Sequence, residues 1–163
     1  MAEHILEREL TLKLPLERVF NFFADAGNLE KITPPELDFK ILTPRPIIME
    51  KGTLIDYQLG LYGIPLKWRT EISVWDPPYE FVDTQLSGPY SQWVHHHRFT
   101  EISSNETLIE DKVRYRLPLA PLGDLGHFFV RRQLAYIFDF RQHKVASVLA
   151  KPFAAINKVG AAS

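Results

Sequence analysis

Hydrophobic and polar positions alternate from residue 3 to 14, with Leu6, Leu10, Leu12 and Leu14 on one parity and Glu3, Glu7, Glu9, Thr11 and Lys13 on the other. Successive side chains of a strand point to opposite faces, so the pattern predicts a first strand with one buried face. Pro15 then opens a short helix, where its fixed φ suits the first turn. Leu16, Val19, Phe20 and Phe23 follow at i, i+3, i+4 and i+7, one apolar stripe. Asp25 is placed to cap a second short helix carrying Leu29 and Ile32, which Pro34-Pro35 must end.

Further on, the pattern shortens. Candidate strands run over 38–43, 53–60, 64–75, 80–86, 91–101 and 107–117, separated by Lys51-Gly52, Leu61-Tyr62-Gly63, Asp76-Pro77-Pro78, Gly88-Pro89 and Ser103-Ser104-Asn105. Connections this short suit an antiparallel meander rather than parallel crossover units. After Pro118 and Pro121 no proline occurs until Pro152. Within that stretch Val130, Leu134, Ile137, Phe138, Val145, Val148 and Leu149 recur at helical spacing, predicting one long amphipathic helix over 122–150. A sheet of seven strands cannot leave a whole apolar face in water, and only the last helix is long enough to cover it. The expected class is α+β: a seven-stranded curved antiparallel sheet wrapped on a long C-terminal helix, with two short helices between strands 1 and 2. A sheet curved that strongly need not fill its interior, so a cavity under the helix is expected.

Composition narrows the function. The 163 residues are 45% hydrophobic and 24% charged, as in ordinary globular proteins. Nineteen Lys and Arg nearly balance twenty Asp and Glu, which argues against a nucleic-acid partner. With no cysteine, disulfides, thiolate nucleophiles and Cys-based zinc sites are excluded. Met1-Ala2-Glu3-His4 lacks the basic start of a signal peptide, and no stretch has the length of a membrane span. A cytoplasmic location is expected. The eight glycines fall at turns rather than in a phosphate-binding loop, and no serine sits in a nucleophile elbow.

Several stretches carry a resemblance: Asn28-Leu29-Glu30-Lys31-Ile32-Thr33-Pro34-Pro35, Gly52-Thr53-Leu54-Ile55-Asp56-Tyr57, Phe81-Val82-Asp83, Gly88-Pro89-Tyr90, the run from Trp93 through His95 and His97 to Phe99, Val113-Arg114-Tyr115, and Val130-Arg131-Arg132-Gln133-Leu134. Together they resemble the START-like, or SRPBCC, helix-grip superfamily. Its members include polyketide cyclases, coenzyme-Q-binding proteins and plant hydrophobic-ligand carriers, and these stretches look like its bacterial ligand-binding group. The resemblance implies one helix-grip domain over residues 1–152 with a tail at 153–163, and a capacity for apolar small molecules. It does not imply one ligand, because the superfamily holds carriers, sensors and enzymes.

The densest chemistry lies in Trp93-Val94-His95-His96-His97-Arg98-Phe99. Strand alternation puts Trp93, His95, His97 and Phe99 on one face, and the two aromatics mark it as the inner one. His95 and His97 would stand about 7 Å apart, two strand rises. Histidine is a common metal ligand, but two at i, i+2 need a third, and no partner motif stands nearby, so no metal is expected. They are otherwise interior histidines bonded to neighbouring strands, or donors to a ligand's carbonyl or hydroxyl. Asp83 and Gln85 share the parity of Phe81, and Asp111 and Tyr115 that of Val113. Buried carboxylates must be paired, so Asp83 and Asp111 are expected beside the histidines or an arginine.

Arg141 lies on the apolar stripe of the last helix. It either snorkels to an edge, or pairs with Asp83 or Asp111, or clamps a ligand carboxylate. Arg131 and Arg132 read as surface charges. On the fourth strand Trp68, Thr70, Ile72 and Val74 form the inner parity, with Lys67, Arg69, Glu71 and Ser73 outward. Trp68 and Tyr57 are candidate cavity walls or plain core.

The candidate ligand-binding set is thus Tyr57, Trp68, Asp83, Gln85, Trp93, His95, His97, Asp111, Tyr115 and Arg141. The expected partner is a small hydrophobic molecule such as a lipid, quinone or polyketide, without a cofactor; a homodimer is left open. The alternative is a cyclase or dehydratase with His95 or His97 and Asp111 as acid and base.

Overall fold

A computed structural model describes residues 2–61, 63–119 and 122–150. The N-terminal alternation forms β1 (His4–Leu12), followed by α1 (Leu16–Ala24), α2 (Asn28–Lys31) and a 3-10 turn (Pro35–Leu37). Then come β2 (Lys40–Ile41), β3 (Leu54–Leu61), β4 (Ile64–Asp76), β5 (Glu80–Ser87), β6 (Gln92–Ser103) and β7 (Glu106–Arg116), and finally α3 (Leu122–Leu125) and α4 (His127–Leu149). All seven strands make one antiparallel sheet in the order β1-β7-β6-β5-β4-β3-β2. From β2 to β7 every tight turn joins neighbours. Only β1 leaves sequence order, pairing with the last strand. This is the expected α+β helix-grip architecture.

Two layers cover the sheet. α1 lays Leu16, Val19 and Phe20 against its closed end, where Phe20 meets Phe99 at 5.4 Å and Phe81 at 6.2 Å, both edge-on, and Trp75 at 5.4 Å. Phe20 and Phe99 are each 2% exposed, and each buried ring contributes roughly 1.5–3 kcal/mol. α4 covers the rest with Leu134, Phe138, Val145 and Leu149, the stripe its spacing predicted. Polar ties hold it in place. Arg8 Nε donates to Asp139 at 2.8 Å, Gln142 Nε2 donates to the Glu9 carbonyl at 2.7 Å, and the Tyr136 hydroxyl bonds Glu36 beside the 3-10 turn. No helix among the described residues is long and apolar enough to cross a membrane.

The departures from expectation have local causes. β2 keeps only two residues of 38–43, because Asp38 takes a left-handed φ of 43° at the end of the 3-10 turn. On β4 the pairing jumps from Ile72–Asp83 to Val74–Val82, so Ser73 is an extra residue in a bulge. Parity therefore reverses: Val74, expected inside, is exposed, and Trp75 packs on Phe20 and Phe81. The last helix is not continuous over 122–150 but breaks at Gly126 between α3 and α4. Asp25 does not cap α2; its carboxylate accepts at 2.9 Å from the amide of Gly27, the residue just before the helix. The domain limit at 152 and the tail at 153–163 lie outside the described residues.

Candidate functional site

Aromatic strand positions build the wall of a cavity between sheet and α4. Tyr57 and Trp68 face each other across β3 and β4, rings stacked at 5.6 Å, and Trp93 meets Trp68 edge-on at 5.2 Å. Tyr90, in the loop before β6, closes on Trp93 at 4.9 Å and Trp68 at 5.6 Å. That loop is pinned by Gln85, whose amide nitrogen donates to the Tyr90 carbonyl at 2.7 Å. Gly88 leaves the room: a Cβ there would stand 2.6 Å from Gln85 Oε1. From α4 come Gln133, Ile137 and Arg141, one ridge at four-residue spacing, with Phe138 beside it. The cavity has a volume of about 170 Å³. Its walls are mostly apolar, with Ile55, Leu59 and Phe39 among them.

Polar groups converge on one side of it. Asp83 pairs across β5 and β6 with His95, and His97 across β6 and β7 with Asp111. The short contacts, however, run diagonally. His95 Nε2 lies 2.7 Å from Asp111 Oδ1, and His97 Nε2 lies 2.7 Å from Asp83 Oδ2. The direct pairs are looser, with His95 Nδ1 3.5 Å from Asp83 Oδ2 and His97 Nδ1 3.4 Å from Asp111 Oδ1. The latter is misaligned for a hydrogen bond but close enough for charge attraction. The two imidazoles lean together until their centroids are 3.7 Å apart, far closer than strand rise alone implies. His97 also stacks on Phe81 at 4.1 Å, which places the tetrad between the dry aromatic end and the cavity.

Electrostatics separates the two histidines. Burial, and the charge of His97 beside it, depress His95 to about 4 against the pull of both carboxylates, so it is neutral. Burial also opposes charge on His97, but the Asp111 and Asp83 carboxylates beside it outweigh that and raise it above the usual value. Burial would raise the Asp83 and Asp111 carboxyls; the imidazoles hold Asp83 below the ordinary range and Asp111 well below it. With His97 protonated, two carboxylates and one imidazolium leave the tetrad with one negative charge. A carboxylate only accepts, so neutral His95 donates from Nε2 to Asp111, and its Nδ1 lone pair faces Asp83.

The compensating cation is Arg141. Its Nε and Nη1 are buried without any hydrogen-bond partner, and its guanidinium carbon sits 5.1 Å from the centre of the Phe138 ring. Among the described residues it forms no ion pair within 4 Å with Asp83 or Asp111, so of the alternatives read from the sequence the direct pairing is not the one seen. Trp68 Nε1 is a second buried donor without a partner. Arg141 and Trp68 both line the cavity, so its wall holds buried hydrogen-bond donors without partners.

Of the residues singled out by sequence, Tyr57, Trp68, Asp83, Trp93, His95, His97 and Arg141 line the cavity. Gln85, Asp111 and Tyr115 do not. Gln85 is spent on the Tyr90 loop, and Asp111 lies behind the histidines. Tyr115 is 1% exposed, with its hydroxyl 3.1 Å from His127 Nε2. Sequence reading missed Tyr90 and Gln133. The spacing Gln133, Ile137, Arg141 was a usable signal for the second; the first sits on a loop, where no periodicity marks it. One donor atom each from Asp83, His95 and His97 lies within 4.8 Å of the others, so β5 supplies the third ligand that the His95–His97 spacing lacked.

A curved sheet gripping a helix around a cavity with a polar side defines the helix-grip class of folds. Residues 12–138 match the family described as polyketide cyclase / dehydrase and lipid transport, and the chain belongs to that family. The Zhui aromatase/cyclase from Streptomyces sp. R1128 superposes with a TM-score of 0.74 at 15% identity, over 91% of this chain and 94% of that one. A START superfamily protein from Mycobacterium smegmatis gives 0.66 at 12% identity, over 89% and 99%. A major latex-like protein from Panax ginseng gives 0.64 at 11%, over 91% and 99%. At these identities the likeness is one of fold. Among curated proteins, none matches the sequence.

Proposed function

We propose that the chain binds a small, largely hydrocarbon molecule carrying one oxygen-rich group, such as a fatty or aromatic carboxylic acid or a polyketide-like enol. The unpartnered donors of Arg141 and Trp68, two residues in the wall of a mostly apolar cavity, carry this reading. Buried polar groups are nearly always bonded, and leaving one unmade costs about 1–3 kcal/mol, more for a charge. A ligand oxygen would satisfy these donors, while the Tyr57, Trp68, Tyr90 and Trp93 rings take the hydrocarbon. Membership in a family described by cyclisation, dehydration and lipid transport agrees with such a ligand. Titrating the protein with 2-naphthoate and with naphthalene tests it. The carboxylate should bind more tightly, and equal affinity for both would sink the reading.

A second reading is catalysis, favoured by the split between neutral His95 and charged His97 on the cavity wall. One could take a proton and the other give one to a polyketone, with Asp111 orienting both from behind. Turnover of a poly-β-ketone mimic, lost in His95→Phe and His97→Phe, would establish it. Recovery of the mimic unchanged would leave binding.

A further inference from the structure

We propose that Asp83 Oδ2, His95 Nδ1 and His97 Nε2 form a site for one divalent transition-metal ion, with Asp111 as the carboxylate that orients both imidazoles from behind. The three donors come from adjacent strands β5 and β6 and face the same cavity. His95 Nδ1 and Asp83 Oδ2 stand 3.5 Å apart with lone pairs opposed. Two ligands of a tetrahedral ion, each about 2.0–2.1 Å from it, lie roughly 3.3 Å from one another. A cation between these atoms would turn a repulsive contact into two coordinate bonds with almost no movement. His97 Nε2 and Asp83 Oδ2, now 2.7 Å apart through a proton, would open by roughly 0.6 Å as the ion replaces that proton. Asp83 is the most exposed of the cluster, at 18% of its side chain, and lies at the cavity wall.

The nitrogens turned away from the proposed ion are both directed at Asp111, His95 Nε2 at 2.7 Å and His97 Nδ1 at 3.4 Å. Metal-bound histidines almost always give their other ring N–H to a carboxylate or carbonyl, which fixes the tautomer and aims the ligating nitrogen. Here one buried carboxylate bonds the outer nitrogen of His95 and stands 3.4 Å from that of His97, where a small turn of the ring would complete the second bond. Two imidazoles and one carboxylate suit zinc, cobalt(II) or iron(II) rather than calcium or magnesium. No fourth protein ligand approaches from the cavity side among the described residues, so that position is open to a ligand oxygen.

The test uses tag-free, chelator-stripped protein titrated with zinc chloride by calorimetry and with cobalt(II) chloride by visible absorption. One ion per chain, a cobalt d–d band of a low-coordinate N/O site, and a melting temperature raised by zinc are expected. Asp83→Asn and His95→Gln should abolish the band. Asp111→Asn keeps all three ligands and should weaken binding roughly 10–100-fold. His143→Gln, on the exposed face of α4, should change nothing. Should a buried variant fail to fold, X-ray absorption of zinc-loaded wild type decides, with two imidazoles and oxygen at about 2.0–2.1 Å expected. Wild type that binds neither ion, a zinc spectrum without two imidazoles, or a folded Asp83→Asn that binds like wild type overturns the proposal. Binding of 2-naphthoate, measured separately on stripped protein, keeps failure of the metal site distinct from failure of the ligand reading.

Discussion

Replacing Arg141 by Met separates the demands of folding from those of binding. In the free protein Arg141 Nε and Nη1 are buried with no partner, so the chain bears their desolvation, about 1–3 kcal/mol for each such group. Two attractions offset it. One is the Phe138 face at 5.1 Å, worth roughly 0.5–2 kcal/mol, and the other is the field of Asp83, which is not in direct contact. Methionine keeps the stem's packing and removes both the cost and the offsets, so stability should change by no more than about 1 kcal/mol, in either direction. Binding behaves differently. A ligand carboxylate would lose at least one charge-assisted hydrogen bond, about 1.5–3 kcal/mol, which is roughly a 10- to 150-fold weaker Kd. Calorimetric titration with 2-naphthoate and naphthalene, together with urea melts, reads both quantities. Naphthoate should lose affinity steeply, naphthalene by less than about twofold, and the urea midpoint should barely move. Equal loss for the two probes, or a stability loss of several kcal/mol, would show that Arg141 is structural and refute the reasoning.

Other consequences follow from the same geometry. Trp68→Phe keeps an aromatic ring but deletes the unpartnered N–H and the five-membered ring that carries it, so carboxylate affinity should fall by about 0.5–1.5 kcal/mol beyond any loss for naphthalene, with a stability loss in urea melts from the lost packing. Phe138→Ala removes a ring that is 3% exposed and packs on His95 at 5.3 Å, and should cost about 3–5 kcal/mol in the same melts. The stability of chelator-treated protein should peak near the ordinary histidine pKa, about 6.5. Below it, unfolded His95 takes up a proton that the folded residue refuses down to about 4, so stability falls with pH. Above it, unfolded His97 gives up its proton first, so stability falls as pH rises through the raised value. Asp83, Asp111, Arg141 and Tyr57 face the pair, and the two carboxylates deepen the acid-side loss below their usual range. Urea midpoints that climb steadily from about pH 5 to about pH 8 would contradict this assignment.

Much of the fold was legible because each element carried its own period. The alternation around Leu6 and Leu10, the stripe Leu16, Val19, Phe20, and the recurrence from Leu134 to Leu149 all survive in the buried faces. The failures are places where a single residue breaks the period. The Ser73 bulge turned Val74 outward and Trp75 inward, and Gly126 split the last helix. The candidate site was legible only in part. Parity alone put Asp83, His95 and His97 on the inner face. It could not show that the close contacts run diagonally, because that depends on how the side chains lean across three strands. Gln85 had the right parity and the wrong role, since its amide was taken by the backbone of the Tyr90 loop. That long-range cause lies beyond any pattern along one strand.

The most direct test of a ligand held by the cavity's unpartnered donors is the indole N–H region of a 1H–15N spectrum. The chain has three tryptophans. Trp68 and Trp93 line the cavity, whereas Trp75 packs on Phe20 and Phe81 at the closed end. On addition of 2-naphthoate, the Trp68 indole N–H should move strongly downfield as it gains an acceptor, and much less on addition of naphthalene. Trp93 should shift with either probe through ring currents, and Trp75 should stay in place. If the Trp68 signal holds its position at saturating naphthoate, or if all three signals move together, the oxygen-bearing end of the ligand does not sit where these donors are.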